Sequence, residues 1–209
     1  MKKPLVIAID GPSASGKGTL ASKVAAHFGF AYLNTGAIYR AIALRVILAK
    51  IDTENIDEKI SELTKNICEK DLNNSELFSE EVGAVASVIA KNQKLRSSIF
   101  NFQVQFVENG KKEKNGCVLE GRDTTTVIAP NADFKFFINC DVEIRAQRRF
   151  KQLQNSSYEE ILAQLKKRDE NDINRTESPL KIAKGAHIID NGKLPVDEAV
   201  TKIIEIINS

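Results

Sequence analysis

The chain has 209 residues with 30 lysines and arginines against 28 acidic residues, a net charge of +2 that gives no reason to expect a nucleic-acid partner. No apolar run approaches membrane-spanning length, and no signal peptide precedes the first predicted strand, so we expect a cytoplasmic protein without a membrane partner. Cys68, Cys117 and Cys140 lack metal-ligand spacing and are expected to be buried thiols in a reducing compartment.

The N-terminal stretch combines a strand, a glycine-bounded loop and a helix. An apolar, β-branched run ends at Asp10, and apolar residues recur at helical spacing beyond the loop until Gly29 offers a stop. Glycines let successive backbone N–H groups converge on an anion, the helix N-terminus adds its positive end, and Lys17 supplies a mobile charge. The alternative is a turn that binds nothing, but the context favours a site for a nucleoside triphosphate. The loop comprises Gly11, Pro12, Ser13, Ala14, Ser15, Gly16, Lys17, Gly18 and Thr19.

The remaining elements alternate between strands and helices. We expect further strands at 31–33, 117–119, 134–138 and 186–190, and helices at 37–49, 53–69, 80–89, 95–107, 142–153, from 158 onward and at 195–207. Polar or charged connections are expected at 71–79 and 110–116, and a break at Asn155–Ser157. This alternation predicts an α/β fold with a parallel sheet, whose ligands lie beyond the carboxyl ends of the strands.

The cations are unevenly distributed. The chain has 21 lysines and only nine arginines, and most of the arginines fall in a few tight segments. Surface salt bridges explain any single arginine, whereas the group as a whole favours an anionic substrate, because guanidinium grips phosphate in a bidentate manner. A second set of anion ligands, positioned away from the phosphate loop, suggests phosphoryl transfer between two nucleotides. The set comprises Arg40, Arg96, Arg122, Arg145, Arg148, Arg149, Arg168 and Arg175.

Five motifs together resemble the bacterial cytidylate kinases, within the nucleoside monophosphate kinases. The loop has the Gly-Lys-Gly-Thr form, and four more segments occur in the same order as in that family: 34–40, 120–123, 145–149 and 168–175. The resemblance covers nearly the whole chain. It implies a three-layer P-loop NTPase fold with a central parallel sheet, a small monophosphate-binding insertion and a lid. It also implies transfer from ATP to CMP or dCMP with Mg²⁺, by a monomer.

The resemblance also implies roles for individual residues. The loop would hold the ATP phosphates, with Arg148 and Arg149 on the ATP side, and Thr19 and Glu120 would serve Mg²⁺, through water. The residues implied for the acceptor nucleotide are Arg40, Arg122 and Arg175 for its phosphate, Thr35, Arg96 and Asp123 for cytosine, Ser87, Arg168 and Asp172 for the sugar, and Tyr39 and Gly121 beside them. Lys17, Arg122 and Arg175 would carry catalysis.

The same resemblance divides the single kinase domain into parts. The core would comprise about 1–35, 114–147 and 180–209, the monophosphate-binding part about 36–113, and the lid about 148–179. Glu120 and Asn34 stand where the family commonly has Asp, Thr124–Thr126 replaces a glycine-containing segment, and the insertion and lid connection look short.

The residues themselves leave alternative roles open for several of these positions. Ser87 could simply pack in its helix, Asp169 and Asp172 could form surface pairs within theirs, and Arg145 could cap packing or pair with charges near Glu143. The rival functions are a kinase for UMP or AMP and a nucleotide-binding regulator without catalysis.

Overall fold

The computed structural model describes residues 3–153 and 156–209. Asn155, within the expected break at 155–157, lies outside the described residues. The chain divides into two compact units. The first unit comprises Met1–Leu33 and Val107–Ser209, and the second unit comprises Asn34–Phe106.

The fold contains a five-stranded sheet. Its strands are β1 (Leu5–Asp10), β2 (Ala31–Asn34), β3 (Gly116–Gly121), β4 (Phe134–Asn139) and β5 (His187–Asp190), in the order β2-β3-β1-β4-β5. The central strand β1 pairs in parallel with β3 and β4, and β4 pairs in parallel with β5. Asp10 lies opposite Gly121 on one side and Phe137 on the other. The carboxyl ends of β1 and β3 therefore lie side by side, as predicted for a site built from their loops.

Eight α-helices accompany the strands in the described residues. They are α1 (Lys17–Phe28), α2 (Thr35–Leu48), α3 (Ile60–Thr64), α4 (Glu80–Ile89), α5 (Gln93–Glu113), α6 (Val142–Gln152), α7 (Tyr158–Asn174) and α8 (Val196–Asn208). Three 3₁₀ segments, Thr53–Lys59, Glu69–Asn73 and Ser75–Phe78, lie in the second unit, and a π-helical turn, Thr124–Ile128, follows β3. No helix in the described part of the chain is both long and apolar enough to cross a membrane.

The core of the first unit forms on the sheet. Ile7 and Ile9 of β1 pack with residues of α1 and α8, and Val6 and Ala8, whose side chains point to the opposite face, are buried as well. Burial on both faces is typical of a parallel sheet covered by helices on both sides. The fold is therefore the predicted three-layer α/β arrangement.

The helix ends follow from their capping residues. Gly29 ends α1 in the left-handed conformation with φ of 69°, which its missing Cβ permits. Asp141 accepts a hydrogen bond from the Glu143 amide at the start of α6. Ser157 and Glu160 form a capping box at the start of α7. Helices α6 and α7 then pack through buried apolar residues such as Ala146 and Leu165.

The predicted helix over 53–69 is wrong in its extent. A 3₁₀ segment precedes α3, Asn55 has non-helical angles within it, and α3 spans only Ile60–Thr64. Asn66 then adopts a positive φ of 57°. Asparagine tolerates the left-handed region better than most residues. The apolar residues of this segment therefore lie on short turns and not on one continuous helix.

Three other expectations also differ from the structure. Helix α5 continues to Glu113, into the charged segment 110–116 expected as a turn, and the Lys114 amide still donates to the Gly110 carbonyl. The polar connection at 71–79 contains 3₁₀ turns that seat Leu77 in the core of the second unit with Ala37. Cys68 is exposed, whereas Cys117 and Cys140 are buried as expected. Burial raises the pKa of the Cys117 thiol to about 12.

Candidate active site

The loop Gly11–Thr19, called the phosphate loop below, is shaped by close backbone approaches. A Cβ on Gly11 would overlap the Ile138 carbonyl oxygen, and one on Gly16 would overlap Nδ2 of Asn191. Gly16 has φ of 84°, and Ala14 also lies in the left-handed region with φ of 57°. Left-handed residues that alternate with their right-handed or extended neighbours curl the backbone into a concave arrangement suited to anions.

Lys17 lies at the start of α1 and is 7% exposed. Its Nζ donates to the Pro12 carbonyl over 3.2 Å and stands 3.8 Å from Oε2 of Glu120. Burial, together with the charge of Arg122, lowers the pKa of Lys17 to about 8, against the opposing effect of the nearby carboxylates. The lysine is thus folded back onto its own loop, with its charge disfavoured until an anion arrives.

Glu120, on β3, is held from two sides. Its Oε2 faces Lys17, and its carboxylate accepts a hydrogen bond from the hydroxyl of Tyr32 on β2. Burial raises the pKa of Tyr32, and the charge of Glu120 raises it further, so the phenol keeps its proton. A Cβ on Gly18 would lie 3.3 Å from Oε1 of Glu120 and 3.7 Å from the Tyr32 hydroxyl. The glycine after the lysine therefore leaves room for this pair.

Asp10 has a structural role that the sequence did not indicate. Its Oδ1 accepts from the amide and hydroxyl of Thr124 over 2.9 and 2.8 Å, and its Oδ2 accepts from those of Thr125 over 2.8 and 2.6 Å. Four donors saturate the fully buried carboxylate. The threonines that replace the glycine-containing segment thus tie the π-helical turn to the end of β1.

A second charged cluster of the first unit joins the end of β3 to α7. Arg122 donates through Nε to Oδ2 of Asp172 over 2.6 Å. Nη1 of Arg175 lies 3.9 Å from Oδ1 of Asp172, and its Nη2 lies 3.9 Å from Oδ1 of Asp123. Its Nε donates to the Ser178 carbonyl. Gly121, directly before Arg122, pairs with Asp10, the residue directly before the phosphate loop, so this cluster lies near the loop. The structure thus brings together four of the predicted acceptor residues, with Gly121 buried beside Arg122.

Arg145 and Arg148 of α6 bind backbone around the loop. Arg145 donates to the carbonyls of Cys140 and Ser13, each over 2.9 Å, and forms a bidentate pair with Asp169 at 3.2 and 2.6 Å. Of the two alternatives left open for Arg145, a pair near Glu143 is not observed, since Glu143 faces Lys166. Asp169, for which a surface pair within α7 is the alternative, pairs instead with Arg145 of α6. Arg148 donates to the Asn191 carbonyl over 2.8 Å.

The second unit holds five of the predicted acceptor residues. Arg40 donates to the carbonyls of Leu77 and Ser79 over 2.6 and 3.3 Å. The Arg96 guanidinium stands 5.7 Å from the centre of the Tyr39 ring. The other two are Thr35, which is buried in the first turn of α2, and Ser87, whose hydroxyl oxygen is buried within α4. Roles for these residues toward a nucleotide stay predictions.

Three more predicted residues belong to the first unit. Thr19 is exposed in the first turn of α1, and Arg149 and Arg168 are half-buried on α6 and α7. Sequence reasoning predicts no role for Tyr32 or Asn191, and it considers Asp169 only as a surface pair. Tyr32 and Asn191 come from the strand β2 and from the turn directly after β5, so proximity to predicted strand ends was the signal that could have found them.

Comparison with known proteins gives the same family that the motifs suggest. The cytidylate kinase family profile matches residues 7–209. The chain belongs to the cytidylate kinase family. It is 43% identical over 202 residues to the cytidylate kinase of Bartonella tribocorum, covering 93% of this chain and 90% of that one. It is 41% identical over 203 residues to the cytidylate kinase of Bartonella bacilliformis, covering 94% and 91%.

A solved structure supports the fold. An uncharacterized protein from Eubacterium ventriosum superimposes with a TM-score of 0.58 and 21% identity, covering 98% of this chain and 99% of that one. This likeness concerns the fold alone. Within the cytidylate kinase family, the phosphate loop and the clusters around it form the candidate active site of this chain.

Proposed function

We propose that this member of the cytidylate kinase family transfers the terminal phosphoryl group of ATP to CMP or dCMP, giving ADP and CDP or dCDP. The observation that carries the proposal is the joint presence, in the first unit, of two cationic groups near each other. One is the phosphate loop with Lys17, and the other is the pair of arginines, Arg122 and Arg175, at Asp172. A loop alone would serve many nucleotide-binding functions, whereas a second anion site beside it suits a second phosphate.

The donor nucleotide binds through the phosphate loop. The curled backbone and the N-terminus of α1 attract its phosphates. Lys17 exchanges its contact with the Pro12 carbonyl for the outer phosphates. Arg148 and Arg149, on α6, are assigned to the ATP side by family resemblance. In the structure Arg148 contacts the Asn191 carbonyl, so an ATP contact requires that it rotate from there.

The acceptor phosphate is held by Arg122 and Arg175. Asp172 accepts from Arg122 and lies near Arg175, which orients both guanidinium groups. A guanidinium carries five N–H donors, so an arginine that pairs with a carboxylate can also bind a phosphate. Asp123 accepts from the exocyclic amino group of cytosine. Uracil would present a carbonyl to that carboxylate and would be rejected. For the second unit, family resemblance assigns Arg40 to the phosphate, Thr35 and Arg96 to the base, and Ser87 to the sugar.

The residues around the phosphate loop also suit Mg²⁺. The described residues contain no group of three or more histidines, cysteines, aspartates or glutamates able to hold a metal. Mg²⁺ needs no such group, because it keeps waters and binds phosphate oxygens together with one or two protein ligands. Asp10 is saturated by Thr124 and Thr125, so Glu120 and the Thr19 hydroxyl remain as candidates. When bound, the ion supplies positive charge to the phosphoryl oxygens.

Transfer itself needs positioning and charge. Lys17 and the two arginines stabilise the negative charge spread over the moving phosphoryl oxygens, and the attacking phosphate oxygen of CMP needs no protein base. The α7 region, within the predicted lid 148–179, excludes water that would hydrolyse ATP. We also propose that the protein acts as a monomer in the cytoplasm and without nucleic acid.

An acceptor screen tests the proposal. Turnover is measured with ATP and each of CMP, dCMP, UMP and AMP in a coupled assay for ADP release. We expect CMP and dCMP to exceed UMP by about a hundredfold or more in kcat/KM. Comparable turnover of UMP or AMP would instead favour the rival kinase. ATP binding without turnover of any acceptor would favour the non-catalytic regulator.

A further inference from the structure

Side chains hold three carbonyl groups of the phosphate loop. The Pro12 carbonyl accepts from Lys17, the Ser13 carbonyl from Arg145 and the Ser15 carbonyl from Nδ2 of Asn191, over 3.2, 2.9 and 2.7 Å. Lys17 belongs to the loop region itself, whereas Arg145 lies on α6 and Asn191 follows β5. The last two therefore tie the loop to other elements of the first unit.

Holding a carbonyl also fixes the N–H of the next residue. In a trans peptide group the C=O and the following N–H point in opposite directions, and the described chain has no cis peptide bond. A Ser15 carbonyl directed at Asn191 turns the Gly16 N–H away from that residue. In the same way, Arg145 at the Ser13 carbonyl turns the Ala14 N–H away from α6. The two amides that result belong to the residues with positive φ, which form the anion-binding curve.

Asn191 is itself held firmly. Asn191 is 1% exposed. Its backbone N–H donates to the Asn139 carbonyl over 2.9 Å, and its backbone carbonyl accepts from Arg148. Its side-chain orientation follows from chemistry, because the Ser15 carbonyl can only accept and therefore faces the NH₂ group. A Cβ on Gly16 would overlap that NH₂ group, so Asn191 and the glycine fit closely.

We propose that Asn191 is a positioning residue for the ATP phosphates, acting through the Ser15 carbonyl to present the Gly16 N–H to them. Arg145 does the same for Ala14 through Ser13. The proposal rests on the proposed function only in that the loop binds ATP. Asn191 does not touch the nucleotide in this scheme, and the acceptor site does not depend on it.

The first test compares Asn191→Ala and Asn191→Asp with the wild type. Aspartate keeps the shape of asparagine but cannot donate to the Ser15 carbonyl. Asn208→Ala, at the exposed end of α8, is the matched control. Kd values for ATP, adenosine and CMP are measured by calorimetry, together with kcat and both KM values. We expect both Asn191 variants to lose about tenfold or more in ATP affinity and to raise the KM for ATP, while adenosine and CMP bind as in the wild type.

The outcomes separate the two proposals. ATP affinity within twofold of the wild type in both variants would overturn the role of Asn191, as would equal losses for ATP, adenosine and CMP, since those indicate general damage. Failure of the wild type to bind ATP would overturn the proposed function instead.

A measurement on the unaltered protein does not depend on how the variants fold. The wild type is titrated with inorganic tripolyphosphate and its backbone amides are followed by NMR. We expect the Ala14 and Gly16 amide signals to shift most among the loop residues. Large shifts elsewhere in the loop with none at these two amides would overturn the inference.

Discussion

Arg122 and Asp172 form the shortest ion pair at the acceptor cluster, with Nε of the arginine 2.6 Å from Oδ2 of the aspartate. Their side chains are 23% and 13% exposed. Burial opposes the charge of the guanidinium, but Asp172, Glu120 and Asp10 together outweigh burial and raise the pKa of Arg122. Arg122 is therefore charged at every working pH, and its orientation is set before a nucleotide binds.

Replacement of this arginine should impair the acceptor side selectively. We expect Arg122→Ala to raise the KM for CMP at least about tenfold and to lower kcat about a hundredfold, because a charge on the moving oxygens is lost. The Kd for ATP should stay within about twofold of the wild type. Steady-state kinetics and calorimetry measure these values. Lys193→Ala, at an exposed cation, serves as control. Loss of ATP affinity in Arg122→Ala would contradict the division into donor and acceptor sites.

ATP affinity should fall as the pH rises above about 8. The pKa of Lys17 in the ligand-free protein is lowered to about 8, by burial first and then by Arg122, against Glu120, Asp172 and Asp10. ATP favours the charged lysine, so binding above this pH takes up a proton and weakens by at most about tenfold per pH unit. Calorimetry with ATP and EDTA between pH 7 and 10 measures the trend.

The control for this pH dependence is Lys17→Met. The variant should bind ATP more weakly at pH 7 and should lose the decline above pH 8, because no proton is taken up at that position. A decline of the same size in Lys17→Met would assign the titration to another group.

Tyr32→Phe should disturb Glu120 without touching either nucleotide. The phenol donates to the Glu120 carboxylate, and its removal takes away one of the contacts that hold this carboxylate in place. We expect the Mg²⁺ concentration for half-maximal activity to rise about three- to tenfold, while the Kd values for CMP and for ATP in EDTA stay unchanged. Tyr158→Phe, whose ring packs edge-on to Phe150, is the control. An unchanged Mg²⁺ requirement would argue against a role for Glu120 at the ion.

Thr125→Val should destabilise the fold through Asp10. The substitution keeps the shape but removes a buried hydroxyl that donates to Oδ2 of Asp10 over 2.6 Å. Hydrogen bonds to charged groups contribute about 1.5–3 kcal/mol, so we expect the free energy of unfolding to fall by roughly that amount. Urea denaturation measures it, with Thr201→Val on the exposed face of α8 as control. A change no larger than in the control would show that the remaining three donors suffice.

Much of the fold could be predicted because its elements carry strong local signals. β1 is a continuous apolar run, Gly29 stops α1, and the capping residue Asp141 marks the start of α6. The segment at 53–69 shows the limit of this reasoning. Its apolar residues keep helical spacing, but positive φ at Asn66 and short capped turns decide its structure locally.

The candidate site likewise contains residues that could be predicted from the sequence and contacts that could not. Lys17, Arg122, Asp172 and Arg175 belong to motifs that are contiguous in sequence, so resemblance could indicate them. The contacts of Asn191 with Ser15 and of Asp10 with Thr124 join residues 176 and 114 positions apart, and single polar residues carry no such pairing in the sequence. These supporting contacts arise only when the strands align.

The burial of two of the three cysteines has a practical consequence. Cys117 and Cys140 lie buried in the first unit, and burial raises the pKa of both thiols, so they offer little thiolate to an electrophile at neutral pH. Cys68 is exposed in the second unit. A maleimide dye should therefore attach at Cys68 alone, which provides a fluorescent handle on that unit in the native sequence.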